Sequence, residues 1–249
     1  MHPFSRTQML IGKEGLDRLA SSKVAVFGIG GVGSFVVEGL ARAGVGNLTL
    51  FDADTVCPTN INRQIHANIN TIGKAKVEVM KERVLTVNPA INVTAVQAFY
   101  LPETANELFP TDVDYIVDAI DTVAGKISLV VQAKEHNILI ISAMGAGNKL
   151  DPTKFAVADI FSTSVDPLAR VMRKELKERG VDRLKVVYSQ EKPLVVSSVS
   201  DECTEKTTDN TTKIYANRRS TPGSISFVPS VMGLIIAGEV VKDLAFKGV

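Results

Sequence analysis

Arg63, Lys76 and Asp121 are the residues of this chain whose types and order point furthest towards chemistry. They follow a glycine-rich turn, Gly28-Ile29-Gly30-Gly31-Val32-Gly33, set directly behind the apolar run Lys23–Phe27. Gly28, Gly30 and Gly33 permit a tight turn, close approach of backbone to a phosphate, and tight helix–strand packing, with the amides of a helix start facing an anion. Asp52 ends the next apolar run, where a carboxylate accepts hydrogen bonds from ribose hydroxyls. Up to that point the pattern fits an NAD site and an ATP site equally well. Two cations at the same edge suit a triphosphate, whose β- and γ-oxygens carry concentrated charge. Asp121, following a further apolar run, is placed to hold Mg²⁺ between phosphates. Taken singly, each residue has a plainer reading: a surface ion pair for Arg63, a solvated helix position for Lys76, a helix N-cap for Asp121. Their shared placement at one edge favours the joint reading.

The elements must deliver those side chains to that edge. Val24–Phe27, Leu48–Phe51, Val93–Gln97, Tyr115–Val117 and Ile138–Ile141 read as strands, some apolar throughout and so buried on both faces. Gly33–Ala43, Lys74–Val87 and Ala124–His136 carry helical spacing between them. This alternation predicts an α/β fold, a doubly wound, Rossmann-like, mostly parallel sheet with ligands at the carboxyl ends of its strands. After Gly147 the pattern changes: Phe155–Ile160 reads as another strand, and Pro167–Arg179 as a helix capped by Asp166. Ser197–Gly223, rich in Ser, Thr, Asp and Asn, reads as a long loop that is mobile without substrate. Ile225–Val241 is apolar but interrupted by Pro229, Gly233, Gly238 and Glu239, which favours a buried helix over a membrane span. No repeat or linker divides the chain. It reads as one domain, with a nucleotide-binding core over residues 20–147 and a substrate-binding part over 148–249.

Composition narrows the function further. The 249 residues carry a net charge of +1, so no global field marks the chain for nucleic acid or membrane, although a local basic face is still allowed. Two cysteines, Cys57 and Cys203, without a CxxC pair, cannot build a four-cysteine zinc site and argue against a secreted disulfide framework. The N-terminus lacks the apolar core of a signal peptide, and the expected location is cytoplasmic.

Gly28–Ser34, Asp52–Asp54, Asn60–Gln64, Gly73–Lys76 and Asp118–Asp121, in this order and spacing, resemble the ubiquitin-activating-enzyme-like adenylyltransferases. The likeness covers residues 1–147. It implies that Asp52 binds ribose, that Arg63 and Lys76 bind the ATP phosphates and act in catalysis, and that Asp121 holds Mg²⁺. Gly28, Gly30, Gly31, Gly33, Asp54, Asn60 and Gln64 complete the implied nucleotide contacts. Arg6 matches an arginine that in relatives reaches the ATP of the partner subunit of a homodimer. The family activates a carboxylate by attack on the α-phosphate, giving an acyl adenylate and pyrophosphate, with electrostatic clamping and in-line positioning supplying most of the catalysis.

The destination of the acyl group is read from the C-terminal third. Gly145–Thr153, Asp166–Arg170, Val186–Ser189 and Gly223–Ser230 are similar to the branch that dehydrates threonylcarbamoyladenosine in tRNA. There the threonine carboxylate beside the anticodon is adenylated, and the ureido group then closes a ring and releases AMP, with no protein thiol required. Cys57 reads as structural and Cys203 as an ordinary loop thiol. Arg170, Arg173, Lys174, Lys177, Arg179, Arg183, Lys185 and Lys192, with Arg218 and Arg219 as a second basic spot, are candidates for the tRNA-binding face such a substrate demands, although the helix taken alone also reads as a solvated face of mixed charge. Some relatives suggest a sulfur-transfer partner such as a cysteine desulfurase. The rival readings are three. One is adenylation of the C-terminal Gly-Gly of a small sulfur-carrier protein. Another is an NAD-dependent oxidoreductase, which leaves Arg63, Lys76 and Asp121 unexplained. The third is a catalytically silent tRNA-binding module, against which the complete set of cations and acids counts.

Overall fold

A computed structural model of the chain describes residues 2–196 and 222–246. Most of the Ser197–Gly223 segment, with Cys203, Arg218 and Arg219, lies outside the described residues. In chain order the elements are α1 (Ser5–Ser21), β1 (Lys23–Phe27), α2 (Gly33–Ala43), β2 (Asn47–Phe51), α3 (Lys76–Val87), β3 (Asn92–Val96) and α4 (Ala105–Leu108). Then follow β4 (Tyr115–Asp118), α5 (Val123–Glu135), β5 (Leu139–Ala143), β6 (Phe155–Asp159), α6 (Pro167–Glu178), β7 (Lys185–Ser189) and α7 (Phe227–Ala245).

The strands form one seven-stranded sheet in the order β3-β2-β1-β4-β5-β7-β6. Every neighbouring pair is parallel except β6 and β7. Val24, Ala25, Val26 and Phe27 are buried, as are Tyr115, Ile116 and Val117, because helices cover both faces of the centre of the sheet. The strand order reverses between β1 and β4. Chains leaving these two strands turn to opposite sides there, which opens a crevice at their carboxyl ends.

One predicted boundary moves and another holds, each for a physical reason. α3 starts at Lys76 and not Lys74, because Gly73 N–H donates to Val56 O and Val56 N–H to Lys74 O, each at 2.8 Å. That antiparallel bridge pairs Thr55 with Ala75 and, with Gly73 in left-handed conformation, keeps residues 73–75 out of the helix. Asp166 caps α6 as expected, its Oδ1 accepting from Ala169 N–H at 3.0 Å.

α7 is the buried helix its sequence suggests. Val228, Met232, Ile236, Val240 and Leu244 recur every four residues and all face the core. Among the described residues no helix is long and apolar enough to cross a membrane. α7 packs chiefly on α2, and the approach is close: a Cβ on Gly233 would stand 2.4 Å from Val32 O and 2.9 Å from Phe35 Cβ. Gly238, further along the same helix, meets nothing within 4 Å. Gly233→Ala is therefore expected to destabilise the fold by about 2 kcal/mol through overpacking against backbone. Gly238→Ala should instead stabilise it by about 0.5–1 kcal/mol through helix propensity. Urea denaturation of the two variants checks the opposite signs.

Candidate functional site

The glycine turn is packed main chain against main chain. Gly28 has φ +85° and donates to Phe51 O at 2.8 Å, and a Cβ there would lie 2.6 Å from Ala119 O. A Cβ on Gly33 would fall 1.7 Å from Gly28 O, so the helix start can lie against the turn only as glycine. α2 has no side-chain cap; Ser34 N–H donates to Gly30 O at 3.0 Å and Phe35 N–H to Val32 O at 3.1 Å, so the turn itself closes the amino end of the helix at the crevice.

Asp52 stands at the carboxyl end of β2 and braces the turn. Its Oδ2 accepts from Ile29 N–H at 2.7 Å and its Oδ1 from Asp54 N–H at 2.9 Å. Burial pushes the Asp52 carboxyl above its usual range, against the opposing pull of Lys76. Lys76 is buried at the first turn of α3, and its Nζ lies 2.7 Å from Asp54 Oδ2 and 4.0 Å from Asp52 Oδ1. A solvated helix lysine would look different: this ammonium is held at the crevice by two carboxylates.

Asn60 builds the turn that raises the next cation. Its O accepts from Arg63 N–H at 3.1 Å and Gln64 N–H at 3.0 Å, while its Oδ1 accepts from Cys57 N–H at 3.0 Å. Arg63 then lies over the glycines, its Cγ 3.4 Å from where a Cβ on Gly31 would stand. Its Nη1 donates to Thr59 O at 2.8 Å and to Asn62 Oδ1 at 3.0 Å. Gln64 Nε2 is 3.9 Å from the corresponding point on Gly30, and Gln64 Oε1 is buried without a hydrogen-bond partner. Asp121 is exposed in the loop between β4 and α5. The N-cap position of α5 belongs to Thr122, so Asp121 is not the helix cap its position allows. Arg6 is exposed in the first turn of α1.

The C-terminal segment is part of this site. Asn62 Nδ2 donates to Ser224 O at 3.0 Å, and Pro229 Cβ comes within 3.2 Å of the Cβ point on Gly31. Asn148, in left-handed conformation, donates from its N–H to Gly223 O at 2.8 Å and accepts Gly223 N–H on its Oδ1 at 2.6 Å. The Gly223–Ser230 motif is therefore fastened beside the glycine turn.

A profile of the ThiF family matches residues 4–247. The chain is 45% identical to the tRNA threonylcarbamoyladenosine dehydratase of Bacillus subtilis (strain 168), over 98% of this chain and 95% of that one. It is 35% identical to the Escherichia coli (strain K12) protein of the same name, over 98% and 94%. The structure of E. coli tRNA N6-threonylcarbamoyladenosine dehydratase in complex with ATP superposes with a TM-score of 0.84 at 33% identity, covering 98% of this chain and 94% of that one. The chain belongs to the ThiF family, in its tRNA threonylcarbamoyladenosine dehydratase branch.

In this ThiF-family chain the basic run divides. Arg170, Lys174 and Lys177 are exposed at helical spacing along α6, and Arg183 and Lys192 lie beyond it. Lys185 is turned away, its Nζ 2.7 Å from Asp243 Oδ2 and 3.4 Å from Glu239 Oε2, because the acids of α7 draw it across the start of β7. Arg173 is tied to Thr163 O at 3.0 Å, and Arg179 to Glu175 Oε2 at 2.9 Å. Three buried polar groups of this ThiF fold go beyond what the sequence predicts: the Asp118–Lys126 pair, the Lys149–Asp166 pair, and His66. A basic residue inside an apolar helical stretch, as Lys126 is, was the available signal for the first.

His66 is buried, and neither ring nitrogen has a hydrogen-bond partner in the protein. Burial first, then the positive charges of Lys76 and Arg83, lower its pKa to about 4. The folded chain thus keeps the imidazole neutral, and the unfolded chain protonates it near its usual value of about 6.5. Stability is therefore unaffected by this group above that value and is lost as pH falls towards 4, by roughly 2–3 kcal/mol. His66→Gln should remove that component of the acid loss, read by chemical denaturation at the two ends of the window.

Proposed function

We propose that the chain is an ATP-dependent enzyme that dehydrates N6-threonylcarbamoyladenosine next to the anticodon of tRNA by cyclisation through an acyl adenylate. The observation that carries this reading is that the likeness to the dehydratases runs over 98% of this chain and 95% of the Bacillus subtilis relative, and that the C-terminal motif is seated on the glycine turn. A carboxylate oxygen of the threonyl group attacks the α-phosphorus, the α–β bond breaks and pyrophosphate leaves. The ureido group of the same nucleoside then attacks the acyl carbon and gives up a proton. AMP departs with the original carboxyl oxygen, and the ring is closed one water lighter.

The residues divide this work by position. Asp52 takes the ribose, and the amides of the glycine turn with Gln64 Nε2 take phosphate oxygens, while Asp54 holds Lys76 and Asn60 holds the turn that carries Arg63. Arg63 and Lys76 clamp the β- and γ-phosphates, with Lys76 exchanging Asp54 for phosphate when ATP enters. Among the described residues no cluster of three or more His, Cys, Asp or Glu could hold a metal. Mg²⁺, which commonly uses one or two carboxylates and completes its shell with phosphate and water, fits Asp121, where it would neutralise charge on the leaving pyrophosphate. Arg6 acts in trans in this reading. Phe4 lies 3.6 Å from the Cβ point of Gly44, at the end of α2 opposite the glycine turn, which supports a homodimer in which Arg6 serves the partner's ATP. Arg170, Lys174 and Lys177 contact tRNA phosphates. A cytoplasmic location suits the substrate, and a sulfur-transfer partner rests on family resemblance alone.

Incubation with ATP, Mg²⁺ and threonylcarbamoyl-modified tRNA should yield AMP and a nucleoside one water lighter by mass spectrometry. Intact modified tRNA with no mass loss overturns the reading. Arg63→Ala should lower kcat by about 100-fold, the scale of removing one preorganised donor to developing charge. Replacing Arg170, Lys174 and Lys177 together with Gln should weaken tRNA binding while ATP affinity is unchanged. The salt slope of tRNA binding should fall by about 1 for each phosphate no longer bound. A slope equal to that of the unsubstituted protein excludes the α6 face.

A further inference from the structure

Below the crevice lie three polar side chains that make no contribution to the chemistry described so far. Asp118, Lys126 and Ser142 are all completely buried. They come from three elements: the last residue of β4, the first turns of α5, and the carboxyl half of β5. Lys126 Nζ lies 2.9 Å from Asp118 Oδ2 and 3.3 Å from Ser142 Oγ, and the Ser142 hydroxyl donates to the same Asp118 Oδ2 at 2.5 Å. The second carboxylate oxygen, Oδ1, accepts from Ile120 N–H at 3.3 Å. One oxygen of Asp118 thus faces the buried cation, and the other holds the backbone of the loop that follows β4.

That loop, Ala119–Thr122, carries Asp121, and it is confined on two further sides. On one, Ala119 O sits against the glycine turn, 2.6 Å from where a Cβ on Gly28 would be. On the other, the first turn of α5 presses on it: a Cβ on Gly125 would lie 2.8 Å from Ile120 Cδ1 and 2.9 Å from Thr122 Oγ1. The loop is wedged between a phosphate-binding turn and a helix start, and the buried ion pair fixes its origin.

Stability alone gives little reason for such a pair. Taking two charges fully out of water is costly, and apolar replacements of similar volume are often neutral or stabilising, whereas removing one partner strands a buried charge. A buried, fully bonded pair does fix direction, because the carboxylate cannot rotate without breaking bonds to three partners.

We propose that Asp118, Lys126 and Ser142 form a buried positioning unit that holds the Ala119–Thr122 loop, and with it Asp121, in register with the glycine turn for the adenylation step. None of the three touches the reacting atoms. Their effect is exerted through the direction of Asp121, and the proposal rests on the reading of Asp121 as the acid that shares Mg²⁺ with the phosphates. Outer residues that orient a metal-binding group typically change affinity or activity by about 10- to 100-fold when removed.

The test uses the full-length protein with ATP, Mg²⁺ and modified tRNA, following AMP release. The double variant Asp118→Asn/Lys126→Met removes both charges and leaves an amide that can still bond Ser142 and Ile120. It should remain folded, with kcat lowered by about tenfold or more, KM for ATP changed less than about threefold, and a higher Mg²⁺ concentration needed for half-maximal rate. A folded double variant with the unsubstituted protein's kcat and Mg²⁺ dependence overturns the proposal. If the double variant does not fold, Ser142→Ala decides, since it removes one hydroxyl and no charge. A lowered kcat at unchanged KM supports the positioning role, and unchanged kcat and Mg²⁺ dependence overturn it. Absence of AMP release from the unsubstituted protein is a separate outcome, which overturns the functional reading itself and the proposal with it.

Discussion

Main chain lying directly on main chain at the β1–β4 crevice is the constraint from which the rest of the site follows. With no room for a Cβ at Gly28 or Gly33, the turn can approach both the Ala119 carbonyl and the start of α2. That approach brings the amides of α2 to the crevice and lets Asp52 bond Ile29 N–H from the neighbouring strand. It also makes the loop carrying Asp121 a wall of the same crevice. A side chain inserted anywhere in this stack would separate the phosphate-facing amides from the carboxylates that accompany them.

The charges around the crevice are balanced before any nucleotide arrives. Lys76 is paired with Asp54 and lies near Asp52, and Arg63 is held by Thr59 O and Asn62. Long cationic side chains held in this way have already given up rotamer freedom, so that entropy need not be surrendered again when phosphate binds. The carboxylates that hold Lys76 are themselves a brake on it, and only a ligand with more concentrated negative charge displaces them. A triphosphate meets that requirement better than the single negative charges of a dinucleotide's pyrophosphate.

The sequence was most legible where the signal was local. The glycine turn, the strand-ending Asp52, the Asp166 cap and α2 all follow from residues within a few positions of each other, and the structure places them as read. Asn60, Arg63 and Gln64 were legible as a motif, but their seating over Gly30 and Gly31 was not, because it depends on a turn folding back across the sheet edge. Lys76 is legible as a cation at the ligand edge, but not as a buried one. Its burial depends on Asp54, 22 positions away. The partners of Asp118 lie 8 and 24 residues distant, across a helix and a strand, and no window of sequence contains them as a pattern. α1, α4 and β7 carry no assignment from the sequence. Gly12, at φ +74°, interrupts the periodicity of α1, and the Val186–Tyr188 run of β7 is too short to stand out alone.

The seating of α7 bears on how the molecule comes into being. Gly233 rests on Val32 and Pro229 on Gly31, so the cover of the phosphate turn is made by residues about 200 positions further along the chain. At ordinary translation rates that separation is roughly ten to forty seconds of synthesis. Val36, Val37 and Leu40 of α2, fully buried in the folded chain, share one core with Met232, Ile236 and Val240 of α7. The nucleotide half is therefore no detachable cassette. Cut away from residues 223–233, it would present an uncovered phosphate turn and a bare face of α2, so the core cannot be excised as an independent nucleotide-binding unit.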